Sequence, residues 1–267
     1  MMMRRYVRWT LAVVLALGGI GIYPATTQAQ DAAAKVETAK TQDLPKAEAL
    51  FDKYSEATGG REAFAKIKSL SSKGTISIPQ AGIEGDIEMW QADGKMLMVI
   101  EMAGVGNQTV GFDGKIGWQV ADLTGPQLIE GAMLEEFKFQ VQIDGYQNAA
   151  KFFDSLETVK ETTFEKQPAY EVVAKKEGLP ERSIYFSKET GLIIGTMGES
   201  ETAMGKMNMT NVTSDYKQVG DVKMSHGGEQ KMPNGIAVKM TMTEIKLNVE
   251  VPAEKFALPD SVKKLIK

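Results

Sequence analysis

The sequence predicts an α+β fold in which a strongly curved antiparallel sheet, an incomplete β-barrel of about ten or more strands, wraps around N-terminal and mid-chain helices. Three observations predict it. Apolar residues open the ordered part of the chain at helical spacing, and from about residue 72 they alternate with polar residues. Asp93-Gly94, Asp113-Gly114 and Asn234-Gly235, which are typical of tight hairpins, separate several alternating stretches. The last long stretch changes its phase of alternation, which indicates a bulge in a bending sheet.

Residues 1–29 have the pattern of a signal peptide. The first eight residues carry three arginines and no acid, and the apolar run that follows is shorter than the roughly 20 residues needed to span a bilayer. Small and polar residues come after Pro24, so we expect cleavage after Ala29 and a periplasmic mature protein with no stable membrane span. An uncleaved membrane anchor is the alternative, but a stop-transfer segment is normally longer and has charges on its far side.

Charge and cysteine content exclude several classes of function. Cleavage after Ala29 leaves 28 basic and 35 acidic side chains, a net charge of about −7, which disfavours nucleic acid and anionic head groups as the main partner. The chain has no cysteine and therefore no disulfide, thiolate metal site or thiol nucleophile. We expect no cofactor, and a single domain over residues 46–267 that is stabilised by its core.

The mature chain is predicted to begin with a flexible segment, residues 30–45, that shows no sustained periodicity. From Lys46 to Ala57 the apolar residues fall at helical spacing, and Gly59-Gly60 then ends the pattern. A second short helix is expected from Arg61 toward Leu70.

Alternation of apolar and polar residues is clear over 83–89 and marks a strand with one buried face, and further strands join it. They are expected at 72–78, 83–89, 95–102, 108–113, 117–123, 169–175, 182–187, 192–199, 206–216, 223–230 and 236–251. In the last strand the apolar set that contains Met240 and Met242 continues one residue out of phase at Ile245, which predicts a bulge near Thr243-Glu244. Residues 128–157 show a mixed pattern, and we expect one or two helices or a lid-like excursion there.

Several segments are similar, in their order along the chain, to one bacterial family. Residues 58–63 (TGGREA) close the first helix, 112–118 (FDGKIGW) form a hairpin, and 184–192 (IYFSKETGL) form a later strand and turn. Residues 215–217 (DYK), Phe256 and Leu258-Pro259 follow in the expected order. Over about residues 46–260 the chain thus resembles outer-membrane lipoprotein-sorting-like proteins of the lipoprotein-carrier (LolA/LolB-like) superfamily. The resemblance implies an incomplete antiparallel barrel, closed by helices around an apolar cavity that takes acyl chains.

Methionines are the candidate ligand-binding residues. Thirteen remain beyond Met1–Met3, several of them at a spacing of two, and such unbranched side chains repack around variable apolar shapes. We expect them to line a cavity, whereas the alternative is that they fill the core of the sheet. Trp118 is a candidate for the cavity mouth, although a packing role is the commoner one for a tryptophan in such a position. The complete set of predicted cavity-lining residues is Ile87, Met89, Met96, Met98, Trp118, Met207, Met209, Met240 and Met242.

The sequence offers no catalytic centre. His226, the only histidine, follows Ser225, and neighbouring residues of a strand point to opposite faces, so the two do not form a nucleophile–base pair. One histidine without cysteine is also a poor start for a metal site. We therefore expect a protein that is not an enzyme and has no catalytic or metal-binding residues.

The function favoured by these observations is a periplasmic, non-catalytic binding or carrier protein for a lipid, an acylated molecule or another hydrophobic ligand. The alternative is an envelope protein–protein interaction module that uses its sheet edge or outer face and has a filled core. A cavity of several hundred cubic ångström favours the first function, and a dry packed interior favours the second. An unrecognised hydrolase ranks third and requires an activity that depends on His226 or on a pair of acids.

Overall fold

The computed structural model describes residues 43–202 and 205–266 of the chain. The predicted signal peptide, residues 1–29, and the predicted mature N-terminal segment up to residue 42 lie outside the described residues. The described helices are α1 (Ala47–Ala57), α2 (Arg61–Ala65), α3 (Gly131–Gln140) and α4 (Asp260–Lys263), with 3-10 helices at Pro79–Ala81, Tyr146–Lys151 and Ala253–Phe256. Each of these helices is too short or too polar to cross a membrane.

The described strands form one antiparallel sheet. They are β1 (Ser69–Ile78), β2 (Ile83–Ala92), β3 (Lys95–Met102), β4 (Gly106–Phe112), β5 (Gly117–Ala121), β6 (Gly125–Ile129), β7 (Ser155–Phe164), β8 (Gln167–Lys175), β9 (Arg182–Ser187), β10 (Ile193–Thr202), β11 (Gly205–Val219), β12 (Val222–Lys231) and β13 (Ala237–Leu247).

The topology joins two meanders through their first and last strands. Strands β1 to β6 follow one another across one half of the sheet, β13 back to β7 follow across the other, and β1 pairs with β13 in the middle. Among the described strands, β6 and β7 are therefore the two edges, although they are consecutive in the chain. The segment between them, which contains α3, has to cross from one edge of the curved sheet to the other. This arrangement confirms the predicted α+β fold with an open, curved antiparallel sheet.

Helix α1 forms because its apolar residues fall on one side and bury Leu50, Phe51 and Tyr54 against the sheet. Its end is fixed by Thr58, whose hydroxyl donates to the carbonyl of Tyr54 at 2.8 Å. The next residue, Gly59, has a φ of +113°, and a Cβ there would lie 2.5 Å from the carbonyl oxygen of Asp221. Only glycine combines a positive φ with the absence of a Cβ that would clash with this carbonyl oxygen.

The change of phase in the last strand is a bulge at the predicted place. Met242 pairs with Gly74 and Glu244 pairs with Lys73, so Thr243 is an extra residue without a partner position in β1. The Thr243 hydroxyl donates to the carbonyl of Lys73 at 3.1 Å. The bulge keeps Met242 and Ile245 on the same face, and the prediction near Thr243-Glu244 is confirmed.

Other sequence predictions are confirmed or corrected by the strand bounds. Asp93 and Gly94 both have positive φ, as their hairpin requires, and α3 lies in the stretch where helices were expected. Strands β6 and β7 were not predicted, since β6 contains Gly and Pro and β7 is an exposed edge strand without clean alternation. The last strand ends at Leu247 instead of residue 251, because Asn248 with a φ of +54° turns the chain away.

Helices α1 and α3 cover the same face of the sheet, which we call the inner face. Helix α1 packs over β8, β9 and β10, and α3 packs over β3, β4 and β6. Between these two groups lies a cluster of strand and hairpin residues that contains no helical side chain among the described residues. The opposite, outer face is covered near β3 and β5 by the C-terminal segment with Phe256 and Val262.

Candidate functional site

A cavity of about 570 Å³ lies between the inner face of the sheet and the helices that cross it. Its walls come from α1, α2, α3, the segment after α3 and strands β3 and β9 to β13. Apolar and aromatic residues of the lining are Tyr54, Phe64, Met98, Phe139, Ile143, Tyr146, Ile193, Tyr216, Met224 and Met240. Polar and charged residues of the lining are Glu136, Gln140, Gln142, Gln147, Arg182, Thr196, Ser200, Asn211, Thr213, Lys223, Ser225 and Gln230. Such a volume with a mixed lining is typical of a small-molecule site.

Aromatic rings form the helical wall of the cavity. The ring centroids of Phe139 and Tyr146 are 5.2 Å apart in an edge-to-face contact, and those of Tyr54 and Tyr146 are 6.4 Å apart. The hydroxyl of Tyr216 donates to the carbonyl of Ile193 at 2.8 Å. Burial raises the pKa of Tyr54 to about 12 and also raises the pKa of Tyr216. These phenols therefore stay neutral at physiological pH and present an uncharged wall.

One ion pair connects the helical wall to the sheet. Nη2 of Arg182 in β9 lies 3.3 Å from Oε2 of Glu136 in α3, with side chains that are 19% and 17% exposed. Burial raises the pKa of Glu136, while the nearby Arg182 opposes that shift. Because the two side chains neutralise each other, this part of the cavity carries no net charge.

The sheet wall carries a row of uncharged polar side chains across three neighbouring strands. Thr196, Asn211 and Gln230 stand at paired positions of β10, β11 and β12, and we call them the polar row. The amide of Gln230 donates to Oδ1 of Asn211 at 3.1 Å, and that of Asn211 donates to Oγ1 of Thr196 at 3.4 Å. Oε1 of Gln230 is buried without a hydrogen-bond partner among the described residues. The three side chains of the row are thus linked by hydrogen bonds, but one of their acceptors has no partner among the described residues.

The structure brings two of the predicted residues to the cavity, Met98 in β3 and Met240 in β13. Met209 shares the inner face of β11 with Asn211 and is buried, and Met207 shares that face two residues earlier and is partly buried. The other predicted inner-face residues pack within the sheet clusters beside the cavity; they are Ile87, Met89, Met96 and Met242. Several of the predicted methionines therefore pack in the core, beside those that line the cavity.

Trp118 lies on the outer face of the sheet, away from the cavity. It pairs with Gly111, which in turn pairs with Leu97, whereas the cavity residue Met98 is the next residue and points to the other side. Its ring covers Gly111 and packs with Phe256. The indole Nε1 is buried without a partner among the described residues. This position corresponds to the packing role and not to the cavity mouth.

The polar row, Arg182 and Glu136 were missed as site residues from the sequence. A signal for part of the row exists, because Asn211 and Thr213 are in phase with Met207 and Met209 on the same strand. Polar residues in phase with an apolar set indicate a buried polar position. Nothing in the sequence pairs Arg182 with Glu136, since the side chains from β9 and α3 meet only in the folded structure.

The described residues contain no catalytic arrangement around His226. Nδ1 of His226 lies 3.0 Å from the carbonyl oxygen of Met224, and the Ser225 hydroxyl donates to the carbonyls of Ser214 and Gly227. Within residues 43–202 and 205–266, no group of three or more His, Asp or Glu side chains is placed to hold a metal ion.

Comparison with known proteins finds similar folds and no similar sequences. No protein-family model matches the sequence, and no curated protein matches it significantly. A DUF1329 family protein from Desulfovibrio piger is similar in structure at a TM-score of 0.55 and 11% identity, covering 79% of this chain and 97% of that one. A LolA superfamily protein from Nitrosomonas europaea matches at a TM-score of 0.50 and 10% identity, with 80% and 99% covered.

A third similar structure is an outer membrane lipoprotein-sorting protein domain from Vibrio parahaemolyticus. It has a TM-score of 0.50 and 11% identity, covering 79% of this chain and 97% of that domain. Almost the whole length of each of these proteins is matched, so the likeness concerns the complete fold. The chain has a curved half-barrel of the LolA type, as the resemblance in the sequence implied.

Proposed function

We propose that this protein is a periplasmic, non-catalytic binding or carrier protein that takes the acyl chain of a lipid or an acylated molecule into the cavity between the sheet and its helices. The observation that carries the proposal is the cavity itself, about 570 Å³ with one aromatic wall and methionines at Met98 and Met240. A volume of several hundred cubic ångström suits an acyl chain, and each methylene that leaves water contributes about 0.8 kcal/mol.

The lining suits a ligand of variable shape. Met98 and Met240 have flexible, polarizable side chains that adapt to different apolar surfaces. The neutral phenols of Tyr54 and Tyr216 add apolar area without a charge that an acyl chain would have to desolvate. The half-barrel fold of the LolA type agrees with a carrier, and the predicted signal peptide agrees with a periplasmic location.

The cavity counts against the competing function, a protein–protein interaction module with a filled core. That module needs only a sheet edge or an outer face, so it gives no reason for an unfilled interior lined by methionines and aromatic rings. Of the two functions, the cavity therefore favours the carrier.

Native mass spectrometry with lipid extraction, on protein purified from its own periplasm without detergent, tests the proposal. We expect a co-purifying species with an acyl chain at near-unit stoichiometry. Met240→Glu, which places a charge in the lining, should abolish it, whereas Met197→Glu on the exposed outer face should not. Circular dichroism serves to check that both variants are folded. A ligand-free mass for a protein that also refuses added lipids would refute the carrier function and support the interaction module.

A further inference from the structure

The polar row indicates the chemistry of the ligand's head group. We infer that the ligand is an amphiphile whose uncharged, hydrogen-bonding head group lies inside the cavity against Thr196, Asn211 and Gln230. This inference deepens the proposed function and rests on it. An acylated glycerol, a fatty alcohol or an acyl amide has such a head. A hydrocarbon chain alone, or a fatty acid bound through its carboxylate, does not.

The position of the row places polar groups where a simple chain-binding cavity would be apolar. The three side chains belong to adjacent strands, which are about 4.8 Å apart, so the row is about 10 Å wide on the sheet wall. Thr213, the next inner-face residue of β11, also lines the cavity and extends the polar surface. Met240 lies on the neighbouring strand β13, where the lining becomes apolar.

Desolvation explains why these groups call for a polar ligand. Without a ligand, water can reach the exposed parts of the Asn211 and Gln230 side chains. A hydrocarbon chain that displaced this water would leave their remaining donors and acceptors unpaired, which costs free energy, whereas a hydroxyl or amide head would pair with them. Oε1 of Gln230 already lacks a partner among the described residues, so a ligand donor that reaches this oxygen would supply its missing hydrogen bond.

The charges near the row favour a neutral head over an anionic one. Arg182 pairs with Glu136 at 3.3 Å, so a ligand carboxylate beside the row meets the acid as well as the base. Lys223, the other basic residue of the lining, stands seven positions before Gln230 in β12, roughly 23 Å away along an extended strand. It therefore cannot neutralise an anion at the row.

A head-group series with one acyl chain length tests the inference. A monoacylglycerol, the matching methyl ester, the matching alkane and the matching fatty acid each displace the neutral fluorophore N-phenylnaphthylamine from the wild-type protein at neutral pH. We expect the monoacylglycerol to bind about five- to tenfold more tightly than the methyl ester, because it forms one or two more hydrogen bonds. The alkane and the fatty acid should bind more weakly than the monoacylglycerol.

Substitutions in the row then assign the preference to its residues. Gln230→Met keeps the length of the side chain and removes the amide, and it should reduce the monoacylglycerol preference to about twofold or less. Asn208→Leu is the matched control, since Asn208 is exposed on the outer face of the same strand as Asn211, and it should retain the full preference. If Asn208→Leu lost the preference as well, the row would not be its source.

The outcomes separate this inference from the function on which it rests. If the wild-type protein bound all members of the series equally, or bound the fatty acid most tightly, the inference of a neutral head group would be wrong. The proposed function as a carrier of acyl chains would still stand. Failure of the fluorophore and of every member of the series to bind would refute the carrier and the head group together. The wild-type series needs no variant, so a folding defect in Gln230→Met leaves the test decisive.

Discussion

Gly228 offers a way to fill the cavity from the sheet side without disturbing the helices. It stands on the inner face of β12 opposite Thr213 and Met240, both of which line the cavity. A Cβ at this position would meet only the methyl carbon of Met240, at 3.6 Å, which is an ordinary contact. The variant Gly228→Leu therefore projects its side chain into the cavity, and its stability should stay unchanged or rise, since glycine weakens a strand.

The expected effect on binding follows from the volume that the new side chain takes. Leucine adds about four carbon atoms, so the ligand loses space for about four methylene groups at about 0.8 kcal/mol each, which is about 3 kcal/mol. A loss of this size corresponds to an affinity that is lower by about a hundredfold. It is an upper value, because Met240 is flexible and can move aside.

Displacement of N-phenylnaphthylamine by a monoacylglycerol measures this loss, and urea unfolding measures stability. The control is Thr241→Leu, which adds a similar side chain one residue from Met240 but on the exposed outer face, and which should bind as the wild type does. A folded Gly228→Leu protein with wild-type affinity would show that the acyl chain does not occupy this cavity, and the proposed function would lose its main support.

Three further predictions concern the ion pair and the outer face. Burial raises the pKa of Glu136 above its ordinary value of 4.5, so the protonated carboxyl stabilises the fold at low pH, and this contribution is lost as the pH rises through the raised pKa. In Glu136→Gln, the free energy of unfolding in urea should no longer fall for this reason. A difference between the unfolding free energies of wild type and variant that stays constant from about pH 4 to about pH 7 would contradict the prediction. Phe256→Ala should lower the free energy of unfolding in urea by about 3–5 kcal/mol, because the ring is buried against Trp118. Its affinity for monoacylglycerol should not change, and a weaker affinity of the folded variant would show that the outer face is not independent of the cavity. Trp118→Phe should leave that affinity unchanged, whereas a tenfold loss in a folded protein would place the indole at the ligand.

Much of the fold follows from local sequence patterns. The strands 95–102 and 182–187 have the predicted bounds, since each is a short run rich in aliphatic or aromatic residues and glycine turns or loops flank it. The bulge at Thr243 was predictable because a shift of one residue in the alternation has no other explanation in a continuous strand. Strand β7 was not predictable, because an edge strand with both faces partly in water has no reason to alternate.

The site was less predictable than the fold, for a physical reason. Alternation tells which face of a strand is apolar, but it does not tell which part of that face a helix covers. Met98 lines the cavity, whereas Met96, two residues away on the same face, is buried against residues that include Phe137 of α3. In the same way, the sequence pattern does not tell that Trp118 packs on the outer face, because the apolar layer there is supplied by the distant C-terminal segment around Phe256.

The cavity itself is a consequence of the topology. Because β6 and β7 are the two edges of the described sheet, the chain between them must cross the inner face once, and α3 with the segment after it provides that crossing. Helix α1 covers the β8–β10 side and α3 the β3–β6 side, and the cluster between them, built from β1, β2, β3 and β13 with their hairpins, contains no helical side chain among the described residues. Met240 lies at this uncovered centre, where only strand and hairpin residues pack around it in the cluster. An acyl chain that enters there gives the methionine contacts that no helix provides, which is why a ligand, and not a closer packing of the same chain, suits this space.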